Sequence, residues 1–343
     1  MKAARMHKFG EPLHLDNVPV PNPRPDEVLV RVHASGICHS DLNYRDGVAA
    51  ISRLPITLGH EISGVVDKKG ARADVVNVGD RVVIHYVVSC GKCGFCRSNR
   101  ETYCASYEMI GKDLDGGFAE YIRVPIANAL KIPESLSLDQ AAIMGCAVST
   151  AFHALNRARA EPESSILIFG VGGLGAHAIQ LAATVFKARK IIAVDIAQSK
   201  LELAKEFGAT SVVNPATENL VESVASVTDG VGTDVAIDFV GHSATIESAI
   251  ACVSKGARVV IVGISSDKLQ ISPYSTVIGK EIEIVGVNDH LRSELEQLIE
   301  HVSSGTLDLS RSVTHKVSLD EVNHGMEILV KGIGNPLRVV VKQ

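Results

Sequence analysis

The chain has 343 residues, of which 46% are hydrophobic and 21% charged, with 29 glycines, 12 prolines and a formal net charge of -5. This is the composition of an ordinary globular protein, long enough for two domains and too apolar to be disordered, and its scattered Lys and Arg offer no basic stripe to nucleic acid or an anionic membrane. The opening MKAARMHKFGEPL lacks a signal-peptide apolar core and no apolar run reaches the roughly 18 residues of a membrane helix, so a cytoplasmic enzyme is expected, with neither nucleic acid nor membrane as partner.

Before residue 150 the texture is that of short valine-rich strands, "EVLVRVHASG" (27–36) and "GDRVVIHYVV" (79–88), divided by Pro and Gly turns such as "VPVPNPRPDE". This predicts a β-rich domain of barrel or sandwich type. Within it Cys38 lies in "GICHSD", and His60 follows 22 residues later in "LGHE". Next come Cys90, Cys93, Cys96 and Cys104, in a C-x2-C-x2-C-x7-C run. In a reducing compartment such a run reads as metal ligands rather than disulfides, and four thiolates from one loop suit a closed tetrahedral zinc. An iron–sulfur cluster is the rival, but ferredoxin runs place the fourth cysteine after x3 and before a proline, whereas Cys104 precedes Ala105. A metal-free loop or a disulfide pair is the third reading. A closed zinc site organises a loop and does not catalyse, so the chemistry is expected elsewhere.

Cys146, in "GCAVST", joins Cys38 and His60 as a further candidate. Each alone reads as a buried cysteine or a hydrogen-bonded histidine. Together they make a three-ligand set that leaves zinc's fourth position open to water or substrate. Cys252, in the apolar "AIACVSKGARVVIVG", reads as core packing.

From residue 165 the pattern changes. "SILIFGVGGLGAHAIQLA" runs from a strand through Gly170, Gly172 and Gly175 into a helix, and Asp195 closes the next strand 20 residues beyond Gly175. That context suits a dinucleotide pyrophosphate at a helix N-terminus, with Asp195 accepting from the ribose hydroxyls and repelling a 2'-phosphate, which favours NAD over NADP. The alternative is a glycine turn in another α/β unit. Strand-like runs at 166–169, 191–195, 211–213, 235–240, 258–262 and 282–287 alternate with helical stretches, predicting a six-stranded, doubly wound parallel sheet. Beyond it, "RSELEQLIEHVSSG" reads as a helix and "LRVVVKQ" as a strand that completes the first domain.

Taken in order, "GICHSD", "LGHE", the four-cysteine run, "DGGFAEY" (115–121), "GCAVST", "GVGGLG" and "VDI" resemble the zinc-containing medium-chain dehydrogenase/reductase family, and within it the zinc alcohol dehydrogenases. The likeness spans residues 1 to 340 or so. It implies an α/β protein with a GroES-like catalytic domain (1–152, with 288–343 returning to it), a Rossmann NAD-binding domain (153–287) and an active site in the cleft between them.

The resemblance implies that Cys38, His60 and Cys146 hold a catalytic zinc, that Glu61 lies close enough to exchange with them, and that Asp41 orients the zinc histidine. Cys90, Cys93, Cys96 and Cys104 then hold a structural zinc, giving two zinc ions and one NAD per chain. Ser40 matches the hydroxyl that takes the alcohol proton, and Tyr86 and Phe118 match the substrate pocket. His39, Thr150, Gly170, Gly172, Gly173, Leu174, Gly175, Asp195, Lys200, Val240, Gly263 and Arg292 match positions along the cofactor. The implied reaction is hydride transfer between NAD and a small alcohol or carbonyl compound. Polyol dehydrogenases of the family generally carry glutamate at Cys146, which tilts this chain to the alcohol branch.

Two positions depart from the family. Asn43 stands where many members have the histidine that ends the proton relay; it cannot titrate near neutral pH, and water is expected in that role. His290 stands where relatives often have glycine, and reads as a solvent-facing loop residue. Other readings are a family enzyme for a sugar, polyol, amino-alcohol or CoA-thioester substrate, and a non-enzymatic zinc- and NAD-binding protein. The complete ligand set with Ser40 and Glu61 argues against the latter. The short connection between Cys104 and "DGGFAEY" resembles compact tetrameric members, so a homotetramer is expected, with a dimer as the alternative.

Overall fold

A computed structural model describes residues 1–343 as two compact units, Met1–Ser149 with Asp289–Gln343, and Thr150–Asn288. No helix is long and apolar enough to cross a membrane.

The first unit is built on a seven-stranded sheet. Ala129–Lys131, Arg81–Ile84, Glu61–Lys69, Glu27–Ile37, Arg338–Lys342 and Val313–Ser318 follow one another across it, and Tyr121–Pro125 also pairs with Glu27–Ile37. Neighbours are antiparallel except the last two, which run parallel. Glu27–Ile37 sits at the centre because its valines and Leu29 bury while Arg31 and His33 reach solvent. Each fully buried Val, Leu or Ile there contributes about 2 kcal/mol. The C-terminal strand docks on it with Val339 opposite Ile37 and Val340 opposite Gly36, so the end of the chain lies beside the segment that leads into Cys38.

That junction positions the chemistry. At Cys38 the strand gives way to the short helix His39–Arg45, for which Cys38 is the N-cap residue. On the neighbouring strand Glu61 lies opposite Gly36, so a strand start and a helix start meet at one edge of the sheet. Gly59, with φ of +91°, makes the turn into His60, and the ring of Phe118 fills the space where a side chain at Gly59 would stand.

The second unit holds a parallel six-stranded sheet ordered Ser211–Val213, Lys190–Val194, Ser165–Phe169, Thr233–Asp238, Val253–Ile261, Glu283–Gly286. This is the doubly wound order in which the first strand lies at the switch point. All six expected strands are present. The fourth begins and ends two residues earlier than its apolar run suggests, at Thr233 and Asp238, because Asp238 accepts a hydrogen bond from Gly241 N–H and turns Phe239 and Val240 out of the ladder. Cys252 ends the helix Ser243–Cys252 and packs in this unit's core, where burial pushes its thiol up to about 11.

Candidate functional site

Two clusters of metal-binding side chains lie in the first unit. In one, ligand atoms of Cys38, His60, Glu61 and Cys146 all fall within 4.8 Å of one another, and every one of these residues is buried. Three separate elements deliver them: the N-cap of His39–Arg45, the start of Glu61–Lys69, and a π-turn at Met144–Val148 that carries Cys146. A single π-turn inside a helical stretch is a common mark of a functional site.

Asp41 organises the cluster. Fully buried, it accepts from Cys38 N–H at 2.9 Å and Gly59 N–H at 3.2 Å, and its Oδ1 lies 3.3 Å from His60 Nδ1. With Nδ1 held by a carboxylate, His60 turns Nε2 toward the sulfurs, and that nitrogen is buried with no protein partner. An unsatisfied buried imidazole nitrogen is costly, and a metal is the partner its neighbours are built to hold. The hydrogen bond with Cys146 holds the Cys38 thiol well below its ordinary range, despite burial. The same bond, with burial, pushes Cys146 well up. Burial pulls His60 down, but Asp41 and the Cys38 sulfur outweigh it and hold the imidazole well above its usual range. Two thiols, an imidazole and a carboxylate packed this closely have the chemistry of a zinc site.

Glu61 reaches the cluster with one oxygen only. Arg338, 2% exposed, donates to Glu61 Oε2 and to Ile37 O at 3.1 Å, while Oε1 is buried without a protein partner. Burial pushes the Glu61 carboxyl up to about 7 although Arg338 pulls it down. Arg338 was not among the expected site residues. Its signal was a cation set in the apolar run "LRVVV" (337–341), which the fold buries throughout.

Ser40 and Asn43 lie on the helix His39–Arg45, half-buried, with Ser40 Oγ 3.6 Å from Cys38 Sγ; His39 is exposed at its first turn. Tyr86 packs its ring edge-on to His60, centroids 5.3 Å apart. Phe118 is fully buried beneath the Gly59 turn.

The second cluster is Cys90, Cys93, Cys96 and Cys104, again within 4.8 Å of one another. Lys92 and Cys93 N–H groups favour the Cys90 thiolate and lower its thiol to about 6, while Cys93 caps the short helix Gly94–Arg97 by accepting from Cys96 N–H. Four such sulfurs leave no open position on a tetrahedral ion. No disulfide joins any cysteine of the chain.

His290 corrects the sequence reading. It is fully buried, not solvent-facing: its Nε2 lies 3.0 Å from His85 Nδ1 and its ring stacks edge-on against Tyr86. Arg292 donates from Nε to Ala127 O at 2.9 Å and pairs with Glu296, and its backbone N–H donates to Glu101.

In the second unit the glycine-rich turn divides its labour. Gly170 adopts φ of +84°, and a side chain there would strike Val240; one at Gly175 would strike the Gly170 carbonyl; one at Gly172 would meet nothing. The space beside Gly172 is open to the approach of a ligand, as a pyrophosphate cradle requires. The helix Gly173–Thr184, which opens with Leu174 in its first turn, has no side-chain cap, leaving its first N–H groups to an anion. Asp195 accepts from Val171 N–H at 2.8 Å and Ala197 N–H at 2.9 Å, pinning the turn beside the end of the second strand. Lys200, half-buried near Asp195, has its ammonium lowered by burial. Gly263 packs so tightly on Gly241 that neither tolerates a side chain. Thr150 is buried at the start of its unit.

Two family descriptions match the chain: an alcohol dehydrogenase GroES-like domain over residues 24–134 and a zinc-binding dehydrogenase over 173–304. An alcohol dehydrogenase of Geobacillus stearothermophilus is 34% identical over 344 aligned residues, covering 100% of this chain and 99% of its own. A sorbitol dehydrogenase of Bacillus subtilis is also 34% identical, over 99% of this chain and 97% of its own. The crystal structure of an alcohol dehydrogenase from Aeropyrum pernix superposes with a TM-score of 0.92 at 33% identity, covering 100% of both chains.

Proposed function

Since the chain belongs to the zinc-containing medium-chain dehydrogenase/reductase family, we propose that it is an NAD-linked alcohol dehydrogenase that interconverts small alcohols with aldehydes or ketones. The observation that carries this reading is the buried Cys38–His60–Cys146 cluster, with His60 Nε2 lacking any protein partner.

Cys38, His60 and Cys146 would hold the catalytic zinc, and Cys90, Cys93, Cys96 and Cys104 the structural one. When bound, zinc supplies a Lewis acid for the substrate oxygen and NAD a hydride acceptor for the substrate carbon. The residues do the rest. Asp41 fixes the tautomer and direction of His60. Ser40, two residues beyond Cys38, would accept the alcohol proton, and Asn43 one turn on can pass a hydrogen bond to water but cannot itself titrate. Arg338 keeps Glu61 Oε2 occupied, so a single oxygen is available to the metal. Gly172 and the uncapped helix favour the pyrophosphate, and Asp195 favours a ribose with free hydroxyls.

A second reading, a polyol dehydrogenase, is supported by the equal identity to the sorbitol enzyme; Cys146 in place of glutamate weighs against it. The test is NADH oxidation across aldehydes, ketones and sugars, with NADPH in parallel and a chelator control. Chelator-sensitive, NADH-preferring turnover of simple carbonyls is expected. Turnover confined to sugars would replace the alcohol reading with the polyol one.

A further inference from the structure

A short run of chain, Asp289 to Arg292, is tied down at every residue within the first unit, Leu291 through its N–H to Glu294. Asp289 accepts from Tyr86 Oη at 3.2 Å and from Tyr107 Oη at 2.9 Å, one phenol on each carboxylate oxygen. His290 is hydrogen-bonded to His85 at 3.0 Å, and Arg292 N–H donates to Glu101 at 2.6 Å. Asp289 is 7% exposed and sits at φ of +62°, in the left-handed region that, among residues other than glycine, Asp and Asn adopt most readily. A buried carboxylate persists only where hydrogen-bond donors satisfy it, and here the two phenols do so.

What it holds is Tyr86. The ring lies among three imidazoles, 5.3 Å from His60 and 4.9 Å from His290, both near perpendicular, and stacked 6.3 Å from His85, and is 2% exposed. With its hydroxyl directed to Asp289, Tyr86 meets His60 with its ring and not with its hydroxyl. The ring cannot swing away without breaking the Asp289 bond and opening the stack on His290.

We propose that Asp289 is a positioning residue that sets substrate choice: by sequestering the Tyr86 hydroxyl it makes the wall beside His60 apolar and fixed, so the site takes alcohols with hydrocarbon substituents and discriminates against polyols. The inference rests on the dehydrogenase reading and deepens it. A polyol pressed against such a wall leaves hydroxyls unpaired after losing their water, whereas an alkyl chain loses nothing. Removing the carboxylate releases the phenol to serve as a donor or acceptor for the substrate.

The test compares n-butanol with erythritol, its counterpart bearing a hydroxyl on every carbon, in the wild type and in Asp289→Ala, Asp289→Asn, Tyr86→Phe and the double variants. The wild type is expected to prefer butanol by about a hundredfold in kcat/KM, and Asp289→Ala to shrink that ratio by about tenfold, chiefly through the KM for erythritol. Asp289→Asn, which tolerates the backbone angle and keeps an acceptor for Tyr86, should restore most of the preference. In the Tyr86→Phe background the Asp289 substitutions should leave the ratio where it is, because the group they release is gone. An unchanged ratio in Asp289→Ala, or the same change with and without the Tyr86 hydroxyl, overturns the proposal. A parallel cycle of urea unfolding for Tyr86→Phe and Asp289→Asn reads the contact without turnover. If the wild type oxidises neither compound, the dehydrogenase reading and the substrate preference both fall, and a cycle with no coupling removes the positioning contact as well.

Discussion

The carboxylate of Glu61 and the guanidinium of Arg338 form an ion pair closed to solvent at both ends, with one residue in the metal cluster and the other five positions before Gln343. The pair neutralises a charge that would otherwise stand unpaired beside two cysteine sulfurs. Breaking such a pair from one side leaves a buried charge without compensation. Arg338→Met should destabilise the fold by about 3–5 kcal/mol, and Arg338→Met with Glu61→Gln by much less. Urea denaturation of the wild type, Arg338→Met, Glu61→Gln and the double variant in one buffer measures this, and additive losses would show that the two side chains act independently. Gly36→Ala should disturb the same pair sterically, since a methyl group there falls onto the Glu61 carboxylate.

Loss of one sulfur from the four-cysteine loop should separate stability from chemistry. Cys104→Ser is expected to lose one of the two zinc ions and to lower the thermal midpoint, because the loop's order depends on the metal. Cys146→Ser should abolish turnover with a smaller effect on the midpoint. Zinc content by atomic absorption, read beside calorimetry, distinguishes the two sites; identical behaviour of the two variants would argue against a division into structural and catalytic metals.

Cofactor choice should turn on Asp195. Asp195→Asn keeps an acceptor for the Val171 or Ala197 N–H group but removes the negative charge. The kcat/KM for NADH should fall by about tenfold, and NADPH should gain relative to it. Steady-state kinetics with both cofactors measures this. A ratio that does not move would place the selectivity elsewhere.

His85 should make stability depend on pH on the acid side. Its ring is buried, lines a cavity of about 300 Å³ beside the four-cysteine loop, and is held down to about 3 by burial and by Arg292. An unfolded chain protonates this histidine near pH 6.5, so between that value and about 3 the unfolded state binds the extra proton and the fold loses stability as pH falls. Above pH 6.5 or so the histidine contributes no slope. Denaturant unfolding of the wild type and His85→Asn between about pH 7 and 5 should show the wild type losing up to about 1.4 kcal/mol per unit more than the variant. Parallel curves would mean that His85 is protonated in the fold.

The features readable in the sequence are local ones. Four cysteines within fifteen residues converge on one another because a short loop brings them together at little cost in chain entropy. Gly170, Gly172 and Gly175 mark a strand-to-helix turn because they fall between an apolar strand and a helical run, and the β-branched runs after residue 165 announce six parallel strands without reference to anything distant. The strand ending at Asp238 was misjudged by two residues because its limit is set by a side-chain bond to Gly241, which an apolar run does not reveal.

Contacts made across long stretches of chain lay beyond such reading. Arg338 meets Glu61 across 277 positions and Asp289 meets Tyr86 across 203; His290, polar and flanked by Asp289 and Leu291, has the local look of a loop residue until His85 and Tyr86 close over it. Hydrophobic period and turn chemistry report what a residue does to its own neighbourhood. Which cation neutralises a buried carboxylate, and which carboxylate takes a phenol's hydrogen, depends on the packing of strands and turns distant in sequence, and that was decided only when the sheet assembled.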